Sequence, residues 1–334
     1  VQEMLLALNF PPLFVKWIMN CISQVHFAIN VNGQQGEWFR GKRGLKQGDP
    51  LSPLLFVLSM DYLSRLFKNA SSQPGFEFHP HCKKMAMTHL MFADDLIIFC
   101  KAVPSSIQML MNAFNAFTRC TGLKANLDKS SMIFGGNCSH IQQTCLDITG
   151  FKEGQLPFRY LGLPITSSRM SKAECSTLVT KITARIRVWA SRHMSYAGRL
   201  VLVNSVLFGM FSFWAQVFIL PHAVLSKVSQ LCRNFLWGGE AEYKKAPLIG
   251  WDTACTPKKH GGLGVKNLNL WNNACIAKLV WAVAKKKDHL WIQWVHGRYL
   301  RGRDWWVYTP KGDASWYWKK IHRIKQLFCS YPKE

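Results

Sequence analysis

At 334 residues, 49% hydrophobic and 18% charged, the chain is long enough for two domains with a substantial core and too apolar to be disordered. Its formal net charge of +24 favours a polyanionic partner, nucleic acid first and an anionic membrane surface second. Eleven cysteines without a Cys-x-x-Cys pair argue against a disulfide scaffold, and with no legible signal peptide the expectation is an intracellular protein, nuclear or cytoplasmic.

The periodicity predicts helices near 1–8 and 13–23, divided by Asn9-Phe-Pro-Pro12. Asn32-Gly33, between Phe27-Ala-Ile-Asn-Val31 and Glu37-Trp-Phe39, is a strong hairpin signal. Then comes Arg43-Gly-Leu-Lys-Gln-Gly-Asp-Pro-Leu-Ser-Pro53, a loop feeding a helix to about Lys68. Ser52 is its expected N-cap, Pro53 its first turn, and Leu55, Leu58, Tyr62, Leu63 and Leu66 its apolar side. Gly44 and Gly48 permit close backbone approach, and Arg43 and Lys46 add positive charge at a helix N-terminus, so the loop can cradle a nucleotide.

After a polar linker at 69–75, Asp94 and Asp95 interrupt two apolar runs, His89-Leu-Met-Phe-Ala93 and Leu96-Ile-Ile-Phe-Cys100. The runs read as buried strands and the acidic pair as the tight turn between them. Two adjacent carboxylates repel unless a cation lies between them, and a divalent ion suits them; a plain surface turn is the alternative. Further expectations are a helix at 105–120, a strand at 131–134 with Lys129 just before it, and a turn at Gly162 ended by Pro164.

Beyond Ser171 the pattern turns helical. Ser171 and Glu174 make a capping box, and Leu178, Ile182, Ile186 and Trp189 form an apolar stripe against Lys181, Arg185, Arg187 and Arg192. The charge is concentrated here: up to Pro164 there are 15 Lys plus Arg against 10 Asp plus Glu, and afterwards 27 against 8. Residues 200–220 carry no charge and are long enough to cross a bilayer, though Asn204, Ser205 and Gln216 fit a buried helix better. Basic and aromatic residues interleave over 291–306, where Arg298, Arg301 and Arg303 could hold phosphate. Trp281, Trp291 and Trp294 recur at near-helical spacing and read as core. His79-Pro-His81-Cys82 is the only compact set of zinc-ligand types and lacks a partner cluster.

Four segments in this order, Arg43-Gly-Leu-Lys-Gln-Gly-Asp-Pro-Leu-Ser-Pro-Leu-Leu-Phe56, Phe92-Ala-Asp-Asp95, Gly122-Leu-Lys-Ala-Asn-Leu-Asp-Lys-Ser130 and Tyr160-Leu-Gly-Leu-Pro164, resemble the reverse transcriptase of non-LTR (LINE-type) retrotransposons, most closely those of plants. Leu236-Trp-Gly-Gly239 and Gly261-Gly-Leu-Gly-Val-Lys-Asn-Leu268 resemble the region after the polymerase core, so the likeness covers nearly the whole chain.

The resemblance implies an α+β fold: a partial fingers and palm at 1–164 with an antiparallel sheet backed by helices, a helical thumb at 165–237, and a basic Trp-rich connection at 238–334 leading into a zinc-binding-like tail. It implies that Asp94 and Asp95 bind Mg²⁺ or Mn²⁺, a cofactor of the complete enzyme. Gln47, Gly48, Asp49 and Lys129 would meet the nucleotide. Tyr160, Leu161 and Gly162 would support the primer, and Lys181, Arg185, Arg192, Arg298, Arg301 and Arg303 would hold nucleic acid. Partners would be an RNA template, a DNA primer or an RNA–DNA hybrid, and deoxynucleotides.

One departure stands out. A complete enzyme of this kind carries a further metal-binding aspartate on a strand ahead of the first helix. The only acids before Asp49 here are Glu3 and Glu37, neither on an apolar strand. The expectation is therefore a reverse transcriptase fragment inactive alone, with a noncatalytic basic nucleic-acid-binding remnant as the alternative.

Overall fold

The computed structural model describes every residue except 43, 191–193, 243–246, 248 and 330–334, together with the side chains of 328 and 329. The chain forms two compact units, Val1–Gly154 and Gln155–Glu334. Helices and short strand pairs are mixed in both, an α+β composition.

The first unit begins with α1 (Gln2–Ala7) and α2 (Pro12–Ser23), separated by a left-handed Asn9. Leu5, Val15 and Ile18 pack with Leu55 into a small core. Leu5 is buried there, whereas Leu6 is exposed. Two nested hairpins follow: β1 (His26–Phe27) pairs with β4 (Phe39–Arg40), and β2 (Asn30–Val31) with β3 (Gln34–Gln35). Asn32 and Gly33 both have positive φ, the signature of the type I′ turn that Asn-Gly favours.

The long helix α3 (Ser52–Ser71) takes in Asn69, Ala70 and Ser71, which the composition had suggested as linker. Next come β5 (His89–Phe92), β6 (Asp95–Ile98) and α4 (Pro104–Thr121). β7 (Ser131–Met132) is shorter than its apolar run and pairs in parallel with β8 (Lys152–Glu153) across α5 (Ser139–Thr149), a helix not anticipated from the sequence. Among the described residues the strands form separate two-stranded pairs and not one continuous sheet.

The second unit opens with the hairpin β9 (Phe158–Tyr160) and β10 (Leu163–Ile165), turning through Leu161 and Gly162, both at positive φ. Pro164, expected to end the turn, lies inside β10 opposite Arg159, a position where its missing N–H is tolerated because a two-stranded pair leaves one edge free. The Ser171–Glu174 capping box forms: Ser171 N donates to Glu174 Oε2 at 2.5 Å and Glu174 N to Ser171 Oγ at 3.2 Å. It sits in the turn just ahead of α6 (Ser176–Ala190), and the Ser171 amide holds the Glu174 carboxyl below its ordinary value.

Helices α7 (Tyr196–Leu202) and α8 (Phe208–Ala215) are continuous through a π turn at Val203–Leu207. Tyr196–Ala215 is long and apolar enough to cross a membrane, but Val203, Leu207, Phe211, Trp214 and Ala215 are buried in this unit's own core. There they meet Leu178, Ile182 and Ile186 of α6 and Val228, Leu231 and Phe235 of α9 (His222–Gly238). The remaining helices are α10 (Trp251–Cys255), α11 (Leu268–Ala284), α12 (Leu290–Val295) with a π turn at His296–Leu300, and α13 (Trp316–Cys329). A second cluster joins Ile276, Val280 and Val283 to Ile292, Val295, Trp305, Trp318 and Ile321.

Two buried polar staples hold these layers. Asn272, 3% exposed, accepts from Leu220 N through Oδ1 (3.0 Å) and donates through Nδ2 to the carbonyls of Ala215 (3.0 Å) and Phe218 (2.8 Å), fixing the chain after α8 to α11. Lys325, 2% exposed, donates to the carbonyls of Trp305, Trp306 and Tyr308 and lies 4.9 Å from the centre of the Trp305 ring. His322 Nε2 shares the Tyr308 carbonyl at 2.8 Å. A charged amine is tolerated there because three carbonyls and a ring face replace its water.

Asn272→Leu keeps the branched side-chain outline and removes all three bonds, leaving one buried amide and two carbonyls unpaired; it is expected to destabilise the second unit by about 2–4 kcal/mol in denaturant unfolding. Burial and the neighbouring Lys325 charge lower the His322 pKa, so the unfolded chain takes up that proton first as the pH falls. Stability is therefore expected to decline as the pH falls below about 7, with a shallower decline in His322→Asn, checked by thermal unfolding against pH.

Candidate polymerase site

The carboxylates stand on the β5–β6 hairpin. Phe92 pairs with Asp95, so the two-residue turn is Ala93-Asp94, and Asp95 opens the second strand instead of sharing the turn. Ala93, the first residue of the turn, has φ +51, a positive value that alanine rarely adopts. Side chains alternate along each strand. Met91, Leu96 and Ile98 face the core of Leu63 and Phe67 on α3 and Leu110 and Phe117 on α4. Asp95 is therefore turned to the face away from those helices, with Ile97.

The strands are half-buried instead of fully buried, because only one face is covered. His89 secures the base of β5: its Nε2 is 2.9 Å from Ser64 Oγ, its Nδ1 is 2.8 Å from Thr88 Oγ1, and its ring lies against Phe67. Burial lowers its pKa, keeping the ring neutral in that role. At the tip, Asp94 and Asp95 are exposed and, among the described residues, neither carboxylate has a hydrogen bond or ion pair. Elsewhere in this unit Asp61, Glu77 and Asp128 pair with Arg65, Lys101 and Lys152.

The loop ahead of α3 is held by its own side chains. Asp49 N donates to Lys46 O across a turn with Gly48 at φ +89, the left-handed third position of a type II turn. Asp49 Oδ1 accepts from Leu51 N at 2.8 Å, and Ser52 Oγ donates to Lys46 O at 2.6 Å. Ser52 is therefore the first residue of α3 and not its N-cap, which is Leu51. Its hydroxyl closes the loop, and Asp49 satisfies the amide of Leu51 just ahead of the helix. Gln47 and Gly48 are left exposed at the tip, while Arg43 lies outside the described residues.

Lys129 follows a turn in which Asn126 Oδ1 accepts from the amides of Asp128 and Lys129, and its exposed amine has no partner among the described residues. No hydrogen bond or ion pair there joins Asp94 or Asp95 to Gln47, Asp49 or Lys129. In the second unit, Tyr160 ends β9, and Leu161 and Gly162 form the turn. Lys181 and Arg185 are exposed four residues apart on α6, opposite buried Leu178, Ile182 and Ile186. Arg301 and Arg303 are exposed, Arg298 is half-buried, and Arg301 Nε donates to the Arg298 carbonyl. Arg192 lies outside the described residues.

Among the described residues no three His, Cys, Asp or Glu side chains gather as a metal site. His79 Nδ1 is 3.9 Å from Cys82 Sγ and accepts from the His81 amide, in a local turn. The Asp94–Asp95 pair does fit a divalent ion: two free carboxylates on an anchored turn, open to solvent, suit a cation that completes its shell with water and phosphate oxygens.

Residues 3–165 match the model of the reverse transcriptase (RNA-dependent DNA polymerase) family. A protein of Arabidopsis thaliana named for ribonuclease H is 34% identical over 163 residues, 48% of this chain and 26% of its own length. The Pol polyprotein of the type-2 retrotransposable element R2DM of Drosophila melanogaster is 27% identical over 280 residues, 80% of this chain and 25% of its own length. That of the type-1 element R2 of Popillia japonica is 30% identical over 167 residues, 47% of this chain and 26% of its own length. The chain thus spans about a quarter of these relatives. Reverse transcriptases as a family use divalent metal ions and bind nucleic-acid templates and nucleotides. With the acidic hairpin and the Gln47 loop inside it, the matched segment, residues 3–165, is a reverse transcriptase segment of the non-LTR retrotransposon type.

Proposed function

We propose that this chain supplies the acidic hairpin, nucleotide loop and basic helical region of an enzyme that copies RNA into DNA. In this reading residues 1–164 are part of the fingers and palm, 165–237 the thumb and 238–334 a connecting region. The observation that supports it most is the pair of unpartnered carboxylates at Asp94 and Asp95, in a unit whose other acids include three ion-paired ones.

Bound Mg²⁺, or Mn²⁺ in its place, would polarise the primer hydroxyl and stabilise the leaving pyrophosphate. Asp94 is the direct ligand and Asp95 its neighbour. Gln47 and Gly48 present the exposed tip of a rigid loop to the nucleotide, and Asp49 keeps that tip in shape through Leu51 N. Lys129 offers a free amine to phosphate. Tyr160, Leu161 and Gly162 bear on the primer, and Lys181, Arg185, Arg192, Arg298, Arg301 and Arg303 hold the template–primer duplex by charge. The setting is intracellular, nuclear or cytoplasmic, with no membrane role.

Two carboxylates do not complete a two-ion centre, so a further ligand comes from protein outside these residues, and the chain alone has negligible polymerase activity. The longer protein is expected to extend a primed RNA template with Mg²⁺, and Asp94→Asn in it to cost about 10³-fold or more in rate. Robust extension by the 334-residue chain alone, lost in Asp94→Asn, would overturn the incompleteness. Undiminished extension by the longer Asp94→Asn protein would overturn the role of Asp94.

The excess of cations beyond residue 164 favours a second reading, a noncatalytic nucleic-acid-binding remnant. Binding that falls steeply with salt, ignores Asp94→Asn and needs no divalent ion, from a longer protein without polymerase activity, would select it.

A further inference from the structure

Trp281 does not belong to the core. It is 54% exposed on α11, while Ile276, Val280 and Val283 of the same helix are buried. Lys278 and Lys285 flank it at three and four residues, and the Lys285 ammonium lies 5.1 Å from the centre of its ring. Lys278, Trp281 and Lys285 share one exposed stripe about 10 Å long. The helix carries no acidic residue. Among the described residues none of Lys278, Lys285, Lys286 and Lys287 has an ion pair, and the adjacent Asp288 accepts from Gln293 Nε2 at 2.7 Å.

The end of this helix is also unusual. Lys287 N donates to Ala282 O at 3.1 Å and Lys286 N to Val283 O at 3.2 Å, the paired bonds of a Schellman motif, with Lys286 in its left-handed position at φ +47. Helices α4, α5 and α9 fill their left-handed end position with Gly122, Gly150 and Gly239. Attraction between cations and the helix C-terminus accounts for Lys285 and Lys287 but not for a lysine where glycine avoids strain.

We infer that the outer face of α11, Lys278, Trp281 and Lys285 with the Lys286–Lys287 turn, is a stacking platform for single-stranded nucleic acid. A base takes the ring face that Lys285 covers in the free protein, and the released ammonium joins its neighbours on the phosphates. Stacking on a lone indole needs an unpaired base, which selects single strands over duplex, and it is tolerant of sequence because every base has a π-face. The inference rests on the reading that this chain handles nucleic acid, and it adds a contact outside the duplex-holding arginines.

The test is anisotropy of labelled oligothymidylate and of a blunt duplex, titrated with the 334-residue chain at low and moderate salt. Trp281→Ala is expected to weaken single-strand binding roughly tenfold and Trp281→Phe to restore most of it, with duplex binding unchanged. Lys286→Gly should raise the thermal midpoint while weakening single-strand binding, a divergence that a purely structural lysine would not give. Unchanged single-strand affinity in Trp281→Ala, or equal losses on both ligands, would overturn the platform and leave the polymerase reading intact. Failure of the wild-type chain to bind either ligand would overturn both.

Discussion

Everything proposed for the first unit depends on holding two like charges next to each other without a protein cation. A hairpin that floated would relax that repulsion by twisting its tip. Here it cannot, because Met91, Leu96 and Ile98 are packed onto α3 and α4 and His89 is tied to Ser64 at the base. Apolar burial below the turn thus offsets electrostatic cost at the tip, and Ala93 accepts a left-handed backbone that alanine disfavours by about 1–2 kcal/mol. The Gln47 loop follows the same logic, with Asp49 and Ser52 spent on internal bonds so that Gln47 and Gly48 remain exposed in a fixed shape.

The second unit solves a different problem. Its large excess of cations repels itself, and a helical unit stabilised only by apolar packing would leave loops such as 301–308 free to swell. Asn272 and Lys325 prevent this by binding backbone carbonyls far away in sequence. Lys325 is the more instructive, since it removes one cation from the surface and uses it to shape the loop that carries Arg301 and Arg303. Trp305, Tyr308 and Trp318 close around that loop from the inside, so its charged residues face outward by default.

Local signals were legible wherever one residue type has one conformational use. Asn32-Gly33 turned where its composition required, Ser171 and Glu174 formed their box, and Leu178, Ile182 and Ile186 were buried as their spacing implied. The acidic pair was legible as a hairpin tip, although pairing of Phe92 with Asp95 shifted the turn by one residue. Helix α5 was missed because its buried residues are only Cys145 and Thr149 amid glutamines, too sparse a stripe to read. Trp281 was misassigned because α11 is apolar nearly all round, so spacing could not tell the covered face from the open one. Ser52 was misread because serine serves equally as cap or as loop tie. Asn272, His322 and Lys325 carry no sequence signal, since their partners are main-chain groups that any residue provides.

The hairpin that carries Asp94 and Asp95 is bordered on both sides by backbone that, among the described residues, pairs with no third strand. Those two edges are rows of N–H and C=O groups at fixed intervals, and they set where any additional strand can lie: about 4.8 Å from β5 or from β6, in whole-residue steps. Because alternation fixes which side chains share the face of Asp95, shifting such a strand by one residue would carry a carboxylate from that face to the opposite one. In the proposed site, whether a further carboxylate could join Asp95 would therefore be decided by strand register.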